Sequence, residues 1–187
     1  MAAPSRTVPQ AAFPPSYYGM APAPRSDALL RRTVLDVHNR ERMALGVAAI
    51  TWDDALAADA ARYARQMART NIFRHSGRAD RAIDAGENLW MGSRDLYGYD
   101  VMMDGFVQER RVFRARGRFP DISSTGNWQD AGHYSQMVWR GTQKVGCALG
   151  EGARFDYLVC RYFPAGNMYG MGPLDAPAAA VLAGRGR

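Results

Sequence analysis

Two apolar runs rich in β-branched and aromatic residues, Lys144 to Gly150 and Phe155 to Phe163, face each other across a short stretch holding Gly150 and Gly152. Such runs around a glycine turn predict a β-hairpin. A register that sets Gly150 against Tyr157 and Leu149 against Leu158 brings Cys147 opposite Cys160. Directly opposed residues hold their Cβ atoms about 4.5–5.5 Å apart, close enough for a disulfide after modest adjustment. A bridge closing a loop of this size adds roughly 3 kcal/mol in the chain-entropy model. Two buried thiols are the alternative, because free cysteine is often simply core. Only the bridge argues for an oxidising compartment.

The run Gly132 to Arg140 is read as a further strand, on whose alternation His133, Ser135, Met137 and Trp139 share a face. A histidine on such a face is partly desolvated and needs a polar partner. The preceding chain predicts helices. Ser26 caps the first, with Asp27 in its first turn, Leu30, Val34, Val37 and Leu45 near one side and Gly46 as its stop. The second begins at Trp52-Asp53, with Asp53 as cap and a stripe of Leu56, Ala60, Tyr63, Ala64 and Met67, and ends near Asn71. A short helix is expected around Arg78 to Asp84 in a polar, glycine-punctuated stretch from 74 to 99. Asp100 is read as the cap of a third main helix reaching about Phe113, with Phe106 on its core side, and Arg114 to Ala131 as a long loop. Helices first and strands later give an α+β fold with helices packed on an antiparallel sheet.

The ends differ from the middle. Residues 1–25 form an Ala/Pro-rich leader, expected to be flexible; residues 26–172 form one domain; residues 173–187 form an Ala-rich, flexible tail. Prolines interrupt the opening segment, so it does not read as a signal peptide. No apolar run approaches the ~20 residues that span a bilayer. The formal charge of +6 rests almost wholly on arginine, with Lys144 the single lysine. No nucleic-acid motif accompanies it, so a nucleic-acid partner is not expected. Arg110, Arg111, Arg114, Arg116 and Arg118 form a basic cluster at the end of the third helix. It reads as a solvated helix terminus or as a patch for an anionic lipid or polysaccharide surface.

Several stretches, in order, resemble the CAP superfamily, the group of cysteine-rich secretory proteins, antigen 5 and plant pathogenesis-related proteins. They are His38-Asn39 with Arg42 and Gly46, Trp52-Asp53 with Leu56-Ala57, Phe73 with His75-Ser76, Gly86-Glu87-Asn88-Leu89, Gly132 to Trp139, and Cys160 to Asn167. The resemblance covers about Asp27 to Gly170. It implies an α-β-α sandwich with a small, mainly antiparallel sheet between helices, export to the extracellular space or periplasm, and a cavity lined by His75, Glu87, Glu109 and His133. Glu109 follows Phe106 by three residues, where the family usually has Trp. The family's disulfide between its last two strands falls on Cys147 and Cys160.

Two neutral imidazoles suit zinc or another divalent cation, with His75 and His133 as ligands and water or a further ligand in the open positions. No organic cofactor is expected. Glu87 and Glu109 then orient the imidazoles or act as bases on a bound water. The expected function is a binding module for a metal and a lipid or other small apolar ligand; the alternative is a zinc-dependent hydrolase built on the same four residues. A satisfied polar network without chemistry explains the cluster equally well. Ser135 beside His133 makes a poor serine hydrolase, because strand residues two apart point in parallel and no Gly-x-Ser-x-Gly elbow exists. His38 is read as helix packing and Trp139 as core. Trp90, Trp128 and Trp139 are the aromatic candidates for a lipid groove, and Trp128, inside the polar loop, is the hardest to explain as core.

Overall fold

The computed structural model describes residues 23–77 and 80–175. Helix α1, Asp27–Ala44, starts where Ser26 Oγ accepts from Leu29 N at 3.1 Å. It stops just before Gly46, whose φ of +63° suits a residue without a Cβ. Its buried stripe is Leu30, Val34, Val37 and His38. Strand β1 is only Thr51–Trp52, so Trp52 precedes the second helix instead of opening it. Helix α2, Asp54–Thr70, is capped by Asp53, which accepts from the amides of Ala55 and Leu56, and ends at Asn71 in the left-handed region.

Strand β2, Gly86–Ser93, lies in the stretch expected to be irregular. Helix α3 is Tyr99–Val107 with Gly98 as its cap, ending nearly two turns before the expected Phe113 and without the Asp100 cap. A 3-10 turn, Gln108–Arg111, continues it, and Phe113 already belongs to the next strand. The expected loop holds a small hairpin, β3 (Phe113–Arg118) with β4 (Asp121–Ser123), and a 3-10 turn at Trp128–Asp130. Of the short helix expected at 78–84, Arg78 and Ala79 lie outside the described residues, and no α-helix runs through 80–84.

Gly132–Val138 is a helix, α4, where a strand was expected. Short apolar runs do not declare their period, and tertiary partners decide here. Glu109 Oε2 accepts from the first-turn amides of His133 (2.8 Å) and Tyr134 (3.0 Å). At the other end the buried Arg42 guanidinium donates to the carbonyls of Met137 (3.1 Å), Trp139 (3.0 Å) and Thr142 (2.8 Å). Side chains from distant elements thus meet two of the amides and one of the carbonyls that the helix leaves unpaired, and hold the turn that follows it.

Strands β5 (Lys144–Glu151) and β6 (Phe155–Phe163) form the expected hairpin, with Cys147 opposite Cys160 and a disulfide between them. The main sheet has the order β1-β5-β6-β2; β1 runs parallel to β5 and the other pairs are antiparallel. One face packs Val145, Cys147, Leu158, Cys160 and Tyr162 against α1, α3 and α4. The other packs Leu89, Tyr157 and Val159 against Ala60, Tyr63, Ala64 and Met67 of α2. The result is an α-β-α sandwich. Helix α2 comes unusually close to β5, since a Cβ on Gly150 would lie 2.3 Å from the Ala64 carbonyl oxygen. At the chain ends, Arg25 donates to Asp156 Oδ2 at 2.7 Å, and Pro173 and Leu174 accept from Arg140. Residues 1–22 of the leader and 176–187 of the tail lie outside the described residues.

Candidate functional site

At the β2 edge of the sheet, β2, α4 and the segments around residues 75, 128 and 167 enclose a cavity of about 380 Å³. His75, Glu87 and His133 all line it, and Glu109 stands directly behind His133. The structure therefore brings the four expected side chains to one place, in two His–Glu pairs.

His75 Nδ1 lies 2.6 Å from Glu87 Oε1, and His133 Nδ1 lies 2.5 Å from Glu109 Oε1. An ionised carboxylate only accepts, so Nδ1 of each neutral ring donates the proton and Nε2 keeps its lone pair. The His75 side chain is 60% exposed and that of His133 31%, so both rings are reachable from solvent. The His133 ring also stacks on Phe106 at 4.9 Å between centroids, which gives the phenyl group at the usual Trp position a direct role in orienting the imidazole.

The two carboxylates are held by different means. The Glu87 side chain is buried and, besides His75, accepts from Ser76 N (3.0 Å), Ser76 Oγ (2.7 Å) and the fully buried Arg161 guanidinium. Burial alone raises its pKa, but hydrogen bonds from His75 and Ser76 and the charge of Arg161 outweigh this and bring it down to about 2. Arg161 in turn donates to Asp59 at 2.8 Å, completing a buried Asp59–Arg161–Glu87 array. Glu109 instead caps the first turn of α4 through the amides of His133 and Tyr134.

Sequence reasoning missed most of this frame. Ser76, Arg161, Arg81 and Asn88 carry it: Arg81 donates to Ser76 Oγ at 2.7 Å and to the Ala85 carbonyl at 2.8 Å, and Asn88 donates to the His133 carbonyl at 3.0 Å. Arg161 sits one residue after Cys160, and its alternation onto the α2 face was the available signal. Gln136 and Asn167 also line the cavity, with Gln136 Oε1 accepting from Gly166 N at 2.9 Å.

A family model described as "CAP: Cysteine-rich secretory protein family" matches residues 35–162. The chain belongs to the CAP family. This CAP chain is 36% identical over 141 residues to Pathogenesis-related protein 1C of Nicotiana tabacum, covering 74% of this chain and 77% of the relative. It is 31% identical over 150 residues to Secreted protein RBT4 of Candida albicans, covering 79% of this chain and 38% of that longer protein. Among solved structures, the one described as "NaASP2 with Zn2+" superposes with a TM-score of 0.62 at 23% identity, covering 81% of this chain and 88% of that one. At that identity the likeness shows the fold.

Around the CAP cavity the remaining candidates fall into place. Ser135 lies on α4 and is fully buried; residues two apart on a helix point to nearly opposite sides, which separates it from His133. His38 is a packing residue, held between the Val34 carbonyl (2.7 Å) and the Tyr162 hydroxyl (2.9 Å) and pushed down to about 4 by burial. Trp139 is core and Trp90 packs edge-on against Tyr97 away from the cavity, whereas Trp128 is 39% exposed, lines the cavity and meets Phe119 at 5.1 Å. The arginine cluster is spread out. Arg110 pairs with Glu41 (2.9 Å), Arg114 with Asp121 (2.8 Å) and Arg118 with Asp175 (3.4 Å), while Arg111 and Arg116 make no ion pair among the described residues. Among the described residues no group of three or more His, Cys, Asp or Glu side chains could hold a metal.

Proposed function

We propose that the protein is a secreted CAP-domain binding module whose cavity takes a divalent cation on Nε2 of His75 and His133, together with a small ligand whose apolar part rests on Trp128 and Phe119. One observation carries the reading: two imidazoles lining the same cavity each have Nδ1 committed to a carboxylate, the arrangement that leaves Nε2 as a ligand and fixes its direction. Two protein ligands make a weak site, completed by water or by a polar end of the bound molecule. Such a cation would polarise whatever oxygen or nitrogen completes its shell. The amides of Asn88, Gln129, Gln136 and Asn167 give the rest of the lining a polar character, so the ligand has a hydrogen-bonding end and an apolar end.

Binding is favoured over zinc-dependent hydrolysis by the way both candidate bases are engaged: Glu109 accepts from the His133 ring and from the amides of His133 and Tyr134, and Glu87 from His75, Ser76 and Arg161. A carboxylate brought to about 2 by four partners is a weak general base. Export is supported by the Cys147–Cys160 bridge and by relatives such as Secreted protein RBT4. No helix of the described residues is long and apolar enough to cross a membrane. Arg111 and Arg116 are the residues through which an anionic surface would be met, to be read as salt-sensitive binding to acidic vesicles.

Calorimetric titration with zinc, the ion named with NaASP2, tests the reading. Wild type binds at pH 8 and loses affinity on acidification, because protons compete for the same nitrogen lone pairs. The His75→Ala/His133→Ala double variant does not bind zinc but retains an apolar probe such as a fatty acid. Absence of zinc binding by wild type at pH 8 refutes the cation site; absence of apolar-probe binding by both proteins refutes the ligand.

A further inference from the structure

The aromatic lining of the cavity continues onto the surface. Phe119 is buried and meets two rings edge-on, Trp128 of the cavity at 5.1 Å between centroids and Tyr169 at 5.5 Å. Tyr169 is 81% exposed and the preceding Met168 52%. Both stand on a β-turn, Met168–Met171, closed by Met171 N donating to the Met168 carbonyl at 3.1 Å. Asn167 and Gly170 flank the pair with positive φ of 54° and 74°, the second at the turn position that asks for glycine. Met168 and Tyr169 form the exposed tip.

The turn is firmly attached to β3. Phe119 N donates to the Met171 carbonyl and Gly170 N to the Phe119 carbonyl, both at 2.9 Å, and Arg118 donates to the Gly170 carbonyl. Further along, Arg140 N and Nε donate to the carbonyls of Pro173 and Leu174. The exposed face of β3 is Arg114, Arg116 and Arg118. Residues two apart on a strand are separated by about 6.6 Å, so the three arginines form a row that ends at the turn. Arg114 and Arg118 pair with the exposed carboxylates Asp121 and Asp175, and Arg116 makes no ion pair among the described residues. Exposed ion pairs are weak enough to give way to phosphate contacts.

One exposed apolar side chain is ordinary. Here a methionine and a tyrosine crown a held turn, rest on a buried phenylalanine and border a row of arginines. A protein partner needs about 800 Å² per side and a complementary shape, which a two-residue tip does not offer. A polysaccharide would engage the arginines and leave Met168 in water. A bilayer uses every part: tyrosine favours the headgroup level, an apolar side chain the acyl boundary, and arginine the phosphates of anionic lipids.

Building on the anionic-surface reading above, we propose that the Met168–Met171 turn and the arginine face of β3 are one docking surface for an anionic bilayer. Docking in this way sets Phe119 and Trp128 beside the lipid, so an apolar ligand passes between bilayer and cavity without crossing open water.

Sedimentation of the full chain with sucrose-loaded vesicles tests this, with a chelator present so that the cation site plays no part. Wild type binds phosphatidylcholine vesicles containing about one-third phosphatidylserine, binds phosphatidylcholine alone at least about tenfold more weakly, and is released by salt. Arg116→Gln/Arg118→Gln weakens binding about thirtyfold, from about fivefold for each arginine near the surface. Met168→Ser/Tyr169→Ser weakens it at least about tenfold at every salt concentration where wild type binds, and titrates with zinc like wild type. Failure of wild type to bind the anionic vesicles overturns the proposal and the anionic surface together, and leaves the zinc titration to judge the cavity. Vesicle binding indifferent to Met168→Ser/Tyr169→Ser overturns the docking surface alone, because the arginines then act without an apolar contact. Heparin binding that matches vesicle binding and is indifferent to the same substitutions assigns the arginine row to a sulfated polysaccharide, and overturns it too.

Discussion

Glu87→Gln isolates the charge that ties the cavity to the core. The carboxylate is 2% exposed and its oxygens accept from His75, Ser76 and Arg161. These contacts bring its pKa to about 2 in the folded protein, against an unfolded value near 4.3. At about 1.4 kcal/mol per pH unit, that difference is worth about 3 kcal/mol. The sign follows from which state takes the proton first. The unfolded chain is protonated at higher pH than the folded one, so the contribution is complete above about pH 4.5 and is lost as pH falls toward 2. Glutamine keeps the shape, cannot ionise, and leaves the buried Arg161 with Asp59 as its single carboxylate partner. The variant is expected to be about 3 kcal/mol less stable than wild type at pH 7, with a gap that narrows steadily below pH 4.5. Urea unfolding followed by tryptophan fluorescence at pH 7, 5, 4 and 3, with a chelator present, measures it. A gap below about 1 kcal/mol at pH 7, or one as large at pH 3 as at pH 7, refutes the reasoning.

His38, pushed down to about 4 by burial, is protonated more readily in the unfolded chain; its contribution is complete above pH 6.5 and drains away toward pH 4. His38→Gln should flatten the stability profile in that window by about 3 kcal/mol, and an unchanged slope would reject the assignment. Arg42→Met removes the donor to the carbonyls of Ala48, Met137, Trp139 and Thr142, and should cost about 3–5 kcal/mol while the amides of α4 lose exchange protection. If α4 stays protected, its C-terminal end is not held by that guanidinium. Replacing both Cys147 and Cys160 by alanine should lower stability by roughly 3 kcal/mol, read as a lower urea midpoint, and wild type should resist alkylation until reduced.

What the sequence disclosed depended on whether the signal was local. Caps at Ser26 and Asp53, the stop at Gly46, and the Cys147–Cys160 register are short-range matters of hydrogen bonding and alternation, and all stand. The stretch Gly132 to Arg140 was misjudged because its conformation is set by Glu109 and Arg42, which lie 24 and 95 residues from their partners His133 and Met137. Strand β2 was hidden for the same reason: Gly86 to Ser93 has a glycine at each end of its run and becomes a strand by pairing along β6. His75, Glu87, Glu109 and His133 could be named through family resemblance, but not the pairing of each ring with one carboxylate. Still less legible was Arg161, an arginine in an apolar strand, whose burial makes sense only once Asp59 and Glu87 are seen to flank it.

That arginine explains why the two halves of the cavity should respond differently to change. His75 hangs from a carboxylate locked into the buried Asp59–Arg161–Glu87 array, so its anchor is disturbed only at the cost of the core. His133 hangs from Glu109, which is anchored by the first turn of the seven-residue helix α4 and by nothing in the array. Helix α4 in turn depends on Arg42 for its far end and on Phe106 for the face of the imidazole. Substitutions around α4 can therefore shift one ligand of the proposed cation without unfolding the sheet, whereas substitutions around Arg161 move ligand and fold together. A bound cation stabilises the folded state by RT ln(1 + [L]/Kd), about 2.7 kcal/mol at a hundredfold excess over Kd. That increment belongs to both halves at once, because it exists only while the two rings face the same cavity.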